Sequence, residues 1–172
     1  TKADFLMRLL ILGGSGFLSG TLAREARARG YQISVLTRGL QPVPEGLNLI
    51  QADRKDLRGM VRALANHGPW DLVVDCIGYK ADDARQDLEL FASRCRHLVF
   101  ISTDFVYHPQ HRSVPQSETN AIYLPEGYGG EKRAAEEVLL AAGSQNLQWT
   151  VFRPGHIYGP GSQLGCLPLH GR

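Results

Sequence analysis

Tyr128 and Lys132 stand four residues apart in the sequence Tyr128-Gly129-Gly130-Glu131-Lys132, near the start of a predicted helix. Side chains at this spacing lie on the same face of a helix, so the ammonium would stand close to the phenol. A free tyrosine has a pKa of about 10, and a neighbouring positive charge favours the phenolate and lowers that pKa. The pair can therefore donate and accept a proton near neutral pH.

A glycine-rich segment, Gly13-Gly14-Ser15-Gly16, follows a short apolar run and opens a helical pattern. Gly13 suits a tight turn from strand to helix. Gly16 lets a pyrophosphate approach the backbone N–H groups at the helix N-terminus, where the helix dipole favours negative charge. Ser19 occupies the position of a third glycine, and its small side chain should perturb the site only slightly. The segment predicts a dinucleotide-binding loop.

The end of the second predicted strand bears on which dinucleotide is bound. NAD-binding units often carry an acidic residue there that binds the ribose 2′-hydroxyl. This sequence has Thr37-Arg38 instead. Arg38 can pair with a 2′-phosphate through charge-assisted hydrogen bonds, although a solvent-exposed arginine in a loop is the alternative. We therefore expect NADP to be preferred over NAD.

Alternating elements must position these residues. Apolar runs predict six buried strands, at 9–12, 33–36, 49–50, 72–74, 98–101 and 150–152. Apolar residues at helical spacing predict helices around 18–26, 60–64, 88–91 and 134–142. Runs of this kind are typical of parallel strands covered on both faces, and the alternation predicts a Rossmann-type, doubly wound α/β fold.

Length and composition favour an ordinary globular domain. The chain has 172 residues and a net charge of only +2, which points to neither nucleic acid nor a membrane surface. Cys76, Cys95 and Cys166 lack metal-site or disulfide spacing, and the histidines are scattered, so no metal site is expected. We expect residues 1–6 to be a leader or an expression remnant and residues 7–172 to form one cytoplasmic domain. A homodimer is left open.

Further motifs follow the predicted strands in order: Asp53, Asp75-Cys76-Ile77-Gly78, Ser102-Thr103, and the segment 153–160. With the glycine loop and the Tyr-Lys pair, this order resembles the extended short-chain dehydrogenase/reductases, the NAD(P)-dependent epimerase/dehydratase family. The resemblance runs from Met7 to Pro160. The segment 101–106 also looks like the corresponding segment of dTDP-4-dehydrorhamnose reductases, which reduce a sugar ketone.

The resemblance implies a role for each of these residues. Thr103 would bind the substrate oxygen, Tyr128 would act as acid and base, and Lys132 would hold the nicotinamide ribose. Asp53 and Arg54 would lie beside the adenine. Together with Tyr128 and Lys132, the implied cofactor contacts are Gly13, Ser15, Gly16, Phe17, Leu18, Thr37, Arg38, Asp53, Arg54, Cys76, Ile77, Gly78, Lys80, Ser102, Pro154 and Ile157.

The function implied is hydride transfer between a nicotinamide and a small carbonyl or sugar-nucleotide-like substrate. Reduction, epimerisation and dehydration all stay open. A protein of the same fold that only senses the cofactor or binds RNA is the alternative, because fold does not fix function. The set Thr103, Tyr128 and Lys132 favours the enzyme, since a sensor need not keep it. Family members generally continue into a smaller C-terminal substrate domain, which this chain largely lacks.

Overall fold

Strands and helices alternate along the computed structural model, which describes residues 6–160. The strands are β1 (Arg8–Leu12), β2 (Gln32–Thr37), β3 (Asn48–Gln51), β4 (Trp70–Asp75), β5 (Cys95–Ile101) and β6 (Gln148–Phe152). The helices are α1 (Phe17–Ala28), α2 (Leu57–Leu64), α3 (Ala81–Phe91) and α4 (Gly127–Ala142). Short 3-10 turns lie at Asp104–Val106 and Pro109–His111. The predicted leader falls almost wholly outside the described residues.

All six strands are parallel and form one sheet in the order β3-β2-β1-β4-β5-β6. The predicted Rossmann-type fold is confirmed. Leu12 at the end of β1 pairs with Leu36 of β2 on one side and with Asp75 of β4 on the other. The chain leaves β1 and β4 at the same edge of the sheet but continues into helices on opposite faces, α1 after β1 and α3 after β4. A crevice therefore opens between β1 and β4, where doubly wound sheets bind their ligands.

Each face of the sheet carries its own apolar core. Leu10 and Leu12 of β1 pack on one face with α2, α3 and α4, whereas Leu9 and Ile11 pack on the other face with α1. The four side chains are at most 2% exposed, which agrees with their prediction as a strand buried on both faces.

The outer strands are less buried than the sequence suggested. Leu49 of β3 is 45% exposed and Phe152 of β6 is 56% exposed. These strands have a neighbour on one side only among the described residues, so part of their apolar surface stays open. Within residues 6–160, no helix has the length and apolar character needed to cross a bilayer.

Candidate functional site

A cleft of about 730 Å³ opens at the crevice between β1 and β4. Its volume is in the usual range for a small-molecule or cofactor site. Predicted cofactor residues that line it are Gly13, Ser15, Gly16, Phe17, Leu18, Thr37, Arg38, Asp53, Arg54, Cys76, Ile77 and Lys80. The cleft is also lined by residues for which the sequence analysis predicts no cofactor contact: Ser19, Ala52, Lys55, Tyr79 and Asp83. The loops that follow β1, β2, β3 and β4 thus build one continuous cleft.

The glycine loop at the centre of the cleft has the backbone that a pyrophosphate cradle requires. Gly13 and Gly14 have φ angles of +116° and +108°, which side-chain-bearing residues rarely adopt. Gly16 directly precedes α1, and a Cβ placed on it would meet nothing closer than the Ser19 hydroxyl, at 3.3 Å. Ser19 Oγ accepts a hydrogen bond from the Gly16 N–H at 3.2 Å. Serine is therefore accommodated at the third-glycine position, and the loop keeps the shape that fits a pyrophosphate.

Two cationic side chains line the cleft beyond β2 and β3. Arg38 and Lys55 are both exposed, and neither forms an ion pair within the described part of the chain. The carboxylate of Asp53 accepts a hydrogen bond from the Lys55 N–H at 2.9 Å. This end of the cleft therefore carries two cationic side chains and one carboxylate.

Arg54, although it lines the cleft, directs its guanidinium into the protein. The group pairs with the carboxylates of Asp75, Asp83 and Asp87, and the arginine side chain is 7% exposed. The guanidinium therefore contacts carboxylates inside the protein, and does not point toward the place proposed for the adenine ring.

The loop after β4 forms the opposite wall of the cleft. Asp75 Oδ1 accepts hydrogen bonds from the N–H groups of Ile77 and Gly78, both at 2.8 Å. A Cβ on Gly78 would come within 2.2 Å of Asp75 and 2.5 Å of the Phe100 ring, so this position requires glycine. Burial and the charge of Asp75 raise the pKa of the Cys76 thiol to about 12. Cys76 therefore lines the cleft as a neutral thiol and not as a nucleophile.

Lys132 lies one turn inside α4 and is 3% exposed. Its Nζ donates hydrogen bonds to the carbonyl oxygens of Gly78, at 2.6 Å, and Ile101, at 2.7 Å. The ammonium also lies 4.6 Å from the centroid of the Tyr79 ring. Burial lowers the pKa of Lys132, and the charge of Asp75 opposes that shift. Lys132 thus joins the ends of β4 and β5 at the border of the cleft.

Tyr128, in the first turn of α4, is half exposed. Its ring packs near the rings of Tyr79, with centroids 6.3 Å apart, and Phe105, with centroids 6.5 Å apart. Burial and the neighbouring Tyr79 raise the pKa of Tyr128, while the Thr103 hydroxyl acts in the opposite direction. The net direction is opposite to the sequence prediction, because partial burial of the phenol outweighs the hydrogen bond with Thr103.

Close packing of α4 brings Tyr128 toward the end of β5. A Cβ on Gly129 would lie 2.1 Å from the carbonyl oxygen of Phe105, so only glycine permits this approach. The 3-10 turn there is capped by Thr103, whose Oγ1 accepts a hydrogen bond from the Phe105 N–H at 3.2 Å. Tyr79, which lines the cleft, contacts both Tyr128 and Lys132, and Tyr128 also interacts with Thr103. The three side chains therefore lie near one another at the border of the cleft, although none of them lines the main volume.

The remaining predicted contacts also lie outside that volume. Ser102 donates its hydroxyl hydrogen bond to the buried Glu136, at 2.5 Å. The carbonyl of Pro154 accepts a hydrogen bond from the Asp104 N–H at 3.0 Å, and Ile157 is 41% exposed. Of the predicted cofactor contacts, Gly78, Ser102, Tyr128, Lys132, Pro154 and Ile157 do not line the main cleft.

Glu136 is a supporting residue that sequence reasoning missed. This carboxylate is 1% exposed and accepts two hydrogen bonds from Arg153, at 2.9 and 2.7 Å, besides the bond from Ser102. It thereby ties α4 to the ends of β5 and β6. The one available signal was its place on the apolar face of α4, one turn beyond Lys132.

Known proteins are similar to this chain in sequence. The chain is 30% identical to a 2′-dehydrokanamycin reductase of Streptomyces kanamyceticus, covering 95% of this chain and 49% of the relative. It is 27% identical to a chloroplast stem-loop binding protein of 41 kDa of Arabidopsis thaliana, covering 89% of this chain and 43% of the relative. The chain thus spans about half the length of these relatives.

The chain is also similar to a protein whose structure was solved with a bound cofactor. The UDP-glucose 4-epimerase of Thermus thermophilus, in complex with NAD, is 27% identical to this chain with a TM-score of 0.70. The match covers 91% of this chain and 58% of the epimerase. The family model described as NAD dependent epimerase/dehydratase matches residues 9–166. The sheet order, the glycine loop and this match lead to one conclusion: the chain belongs to the NAD dependent epimerase/dehydratase family.

Proposed function

We propose that this chain forms the cofactor-binding part of an NAD(P)-dependent oxidoreductase that acts on a small carbonyl or sugar-nucleotide-like substrate through Thr103, Tyr128 and Lys132. The observation that carries the proposal is their convergence at the end of the cleft that holds the glycine loop. Thr103 is buried at the end of β5, Lys132 is buried in α4, and Tyr128 is half exposed in front of them. A half-exposed phenol is open to a substrate, as a proton donor must be.

The chemistry divides among the three side chains. A bound nicotinamide would supply the hydride or accept it. Tyr128 gives a proton to the substrate oxygen during reduction and removes it during oxidation, and the Thr103 hydroxyl orients that oxygen. Lys132 has one N–H that is not donated to Gly78 or Ile101, and we propose that this group binds the nicotinamide ribose. The raised pKa of Tyr128 keeps its proton available for donation.

The cofactor proposed is NADP in preference to NAD. Arg38 and Lys55 give the ribose end of the cleft two unpaired cations within residues 6–160. A 2′-phosphate would engage at least one of them through charge-assisted hydrogen bonds. The reductase name of the kanamycin relative favours carbonyl reduction as the direction of the reaction.

Replacement of Tyr128 by phenylalanine tests the mechanism, because it removes only the hydroxyl group. Turnover should fall by about 10²–10⁴-fold, the usual contribution of a general acid or base. Cofactor affinity and folding should be preserved. Turnover is measured on the full-length protein with a panel of keto sugars and related carbonyls. Tyr31→Phe, at the opposite edge of the sheet, serves as the matched control. Wild-type turnover in Tyr128→Phe on any accepted substrate would rule the mechanism out.

A second candidate function is RNA binding without catalysis, which the name of the Arabidopsis relative favours. The two proposals separate in a direct assay. An RNA-binding protein should retain labelled stem-loop RNA at physiological salt, and Tyr128→Phe should leave that binding unchanged. An oxidoreductase should oxidise or reduce its nicotinamide in the presence of substrate, with no RNA required.

A further inference from the structure

Two carboxylates hold the backbone of the cleft wall formed by residues 77–80. The N–H groups of the first two residues both donate to Asp75 Oδ1, at 2.8 Å. The N–H groups of the last two donate to Asp83 Oδ2, at 2.7 and 3.0 Å. Four consecutive backbone donors are thus satisfied by two side chains, and the conformation of the wall depends on where those side chains are held.

A single guanidinium joins the two carboxylates. Arg54 Nη1 lies 2.6 Å from Asp75 Oδ2, and Arg54 Nε lies 3.2 Å from Asp83 Oδ1. Arg54 Nη2 donates both to the Asp83 carbonyl, at 2.9 Å, and to the carboxyl of Asp87. Only a planar group with several donors can reach all these acceptors at once, so lysine would not replace it.

Burial makes this cluster sensitive to the loss of any member. The side chains of Asp75 and Asp87 are fully buried, and a buried carboxylate without a partner is strongly destabilised. Burial opposes the charge of Asp75, but the Arg54 guanidinium and the loop N–H groups outweigh it and lower the pKa of Asp75. Burial and the charge of Asp75 raise the pKa of Asp87 well above its usual range. Asp87 is therefore the carboxyl that most readily keeps a proton, and Asp75 keeps the charge that pairs with Arg54.

The wall held in this way faces the cleft and touches the proposed catalytic lysine. Ile77, Tyr79 and Lys80 line the cleft. The Gly78 carbonyl accepts the 2.6 Å hydrogen bond from Lys132 Nζ, and the Tyr79 ring lies 4.6 Å from the same ammonium. The path from the guanidinium to the ammonium therefore runs through one carboxylate and one short turn of backbone.

We propose that Arg54 is a positioning residue that holds residues 77–80, and through the Gly78 carbonyl the Lys132 ammonium, in place for the cofactor. The role of the Lys132 ammonium in cofactor binding rests on the proposed function, whereas the positions of the backbone and of the ammonium do not. This role differs from the adenine contact that the family resemblance implies for Arg54, because the guanidinium turns away from the cleft.

Amide hydrogen exchange of the 172-residue chain, resolved by NMR, tests the backbone part without any enzyme assay. In Arg54→Gln the exchange of the amides of residues 77–80 should accelerate by about tenfold or more, since charge-assisted hydrogen bonds hold their acceptors. The amides of residues 33–36, in β2, should keep their protection. Arg58→Gln, an exposed arginine of α2 at the same sheet edge, is the matched control and should change neither group.

If Arg54→Gln does not fold, Arg54→Lys decides, because lysine keeps the charge but offers one nitrogen in place of the three that contact Asp75, Asp83 and Asp87. Exchange at 77–80 should again be faster, with β2 unchanged. The rate of Lys132 acetylation by acetic anhydride, followed by peptide mass spectrometry, should rise in parallel. Unchanged protection at 77–80, or unchanged acetylation of Lys132 once the wall is released, overturns the inference.

Cofactor titration separates this inference from the proposed function. If the wild-type chain binds NADP, the dissociation constant should rise by about tenfold in Arg54→Lys and stay constant in Arg58→Gln. An unchanged dissociation constant in Arg54→Lys also overturns the inference. If the wild-type chain binds neither NADP nor NAD, the proposed function fails. The amide exchange and acetylation measurements still decide on Arg54.

Discussion

Arg38 directly follows β2, where the ribose of a dinucleotide would lie. It is exposed and lines the cleft. Arg38→Ala should weaken NADP(H) binding by about 1.5–3 kcal/mol, the usual contribution of hydrogen bonds to charged groups. NAD(H) affinity should stay nearly constant, because the 2′-hydroxyl offers no charge to pair with.

Calorimetric titration of both cofactors against wild-type protein and Arg38→Ala provides the measurement. Arg58→Ala controls for the loss of one positive charge outside the cleft. Tighter binding of NAD(H) than of NADP(H) by the wild-type protein would contradict the proposed preference, whatever the variant does.

At the scale of single residues, the sequence predicts which residue types lie at a functional spacing better than it predicts which residues contact one another. The separation of Tyr128 and Lys132 is local, so their shared place on α4 follows from helix geometry. The partners of Arg54 are not local: Asp75 is 21 positions away and Asp87 is 33 positions away. The pKa of Tyr128 is raised by burial and by Tyr79, which lies in the loop after β4 and is likewise distant in sequence. Such contacts can be predicted only when the order of the strands in the sheet is known.

The junction between β1 and α1 assigns different tasks to its glycines. Gly14 has a positive φ, and a Cβ there would lie 2.8 Å from Val35. Gly16 has an ordinary φ of −79°, and a Cβ there would meet only the Ser19 hydroxyl, at 3.3 Å, which must shift slightly. We expect Gly16→Val to abolish cofactor binding while the fold survives, because the added methyl groups occupy the pyrophosphate site.

Gly14→Val is the matched comparison and should lower stability itself, through backbone strain and a clash with β2. Urea unfolding and cofactor titration of both variants separate the two effects. Wild-type affinity in a folded Gly16→Val would place the pyrophosphate elsewhere.

Helix α4 meets the 3-10 turn after β5 at Gly129, where no side chain fits. Gly129→Ala should push the start of α4 away from Phe105 and move Tyr128 from Thr103. Since displacement of about 1 Å can cost about 10²-fold in rate, turnover should fall by that order while cofactor affinity changes little.

Gly127→Ala is the control for glycine loss in the same turn. A Cβ at Gly127 meets nothing within 4 Å, although its φ of +71° adds some strain. Steady-state kinetics of both variants give the comparison. Equal turnover in Gly129→Ala and Gly127→Ala would show that the close contact does not position Tyr128.

Whole elements were predictable because strands and helices leave different periods in the sequence. The six apolar runs fall within the six observed strands, and the four helical patterns fall within the four α-helices. Exposure at the outer strands was not predictable, because Leu49 and Phe152 look like buried residues until their neighbours are known. The hydrogen bonds from Arg153 to Glu136 were also missed, because they join α4 to the residue after β6, and that contact depends on how the helix packs on the sheet.

At the scale of the whole molecule, the alternation of strands and helices indicates a parallel sheet, and the crossover rule restricts its topology. The observed strand order places the glycine loop, Arg38 and the wall at 77–80 around a single crevice. Among residues 6–160, those that line the main cleft all lie between positions 13 and 83. The described walls of the cleft therefore belong to the segment 13–83, while the proposed catalytic side chains stand at its border.

A cleft formed by residues 13–83 has a thermodynamic consequence for the isolated 172-residue chain. A ligand that binds the folded state alone stabilises it, by about 2.7 kcal/mol when its free concentration is one hundred times its dissociation constant. For a chain of this size, we expect NADP to raise the melting temperature by about 5–10 °C. Differential scanning fluorimetry over a range of NADP and NAD concentrations gives the measurement. Gly16→Val should show no rise, because its fold is kept but its pyrophosphate site is filled. A melting temperature of the wild-type chain that neither dinucleotide changes would contradict the proposed function, as the absence of binding in the titration would.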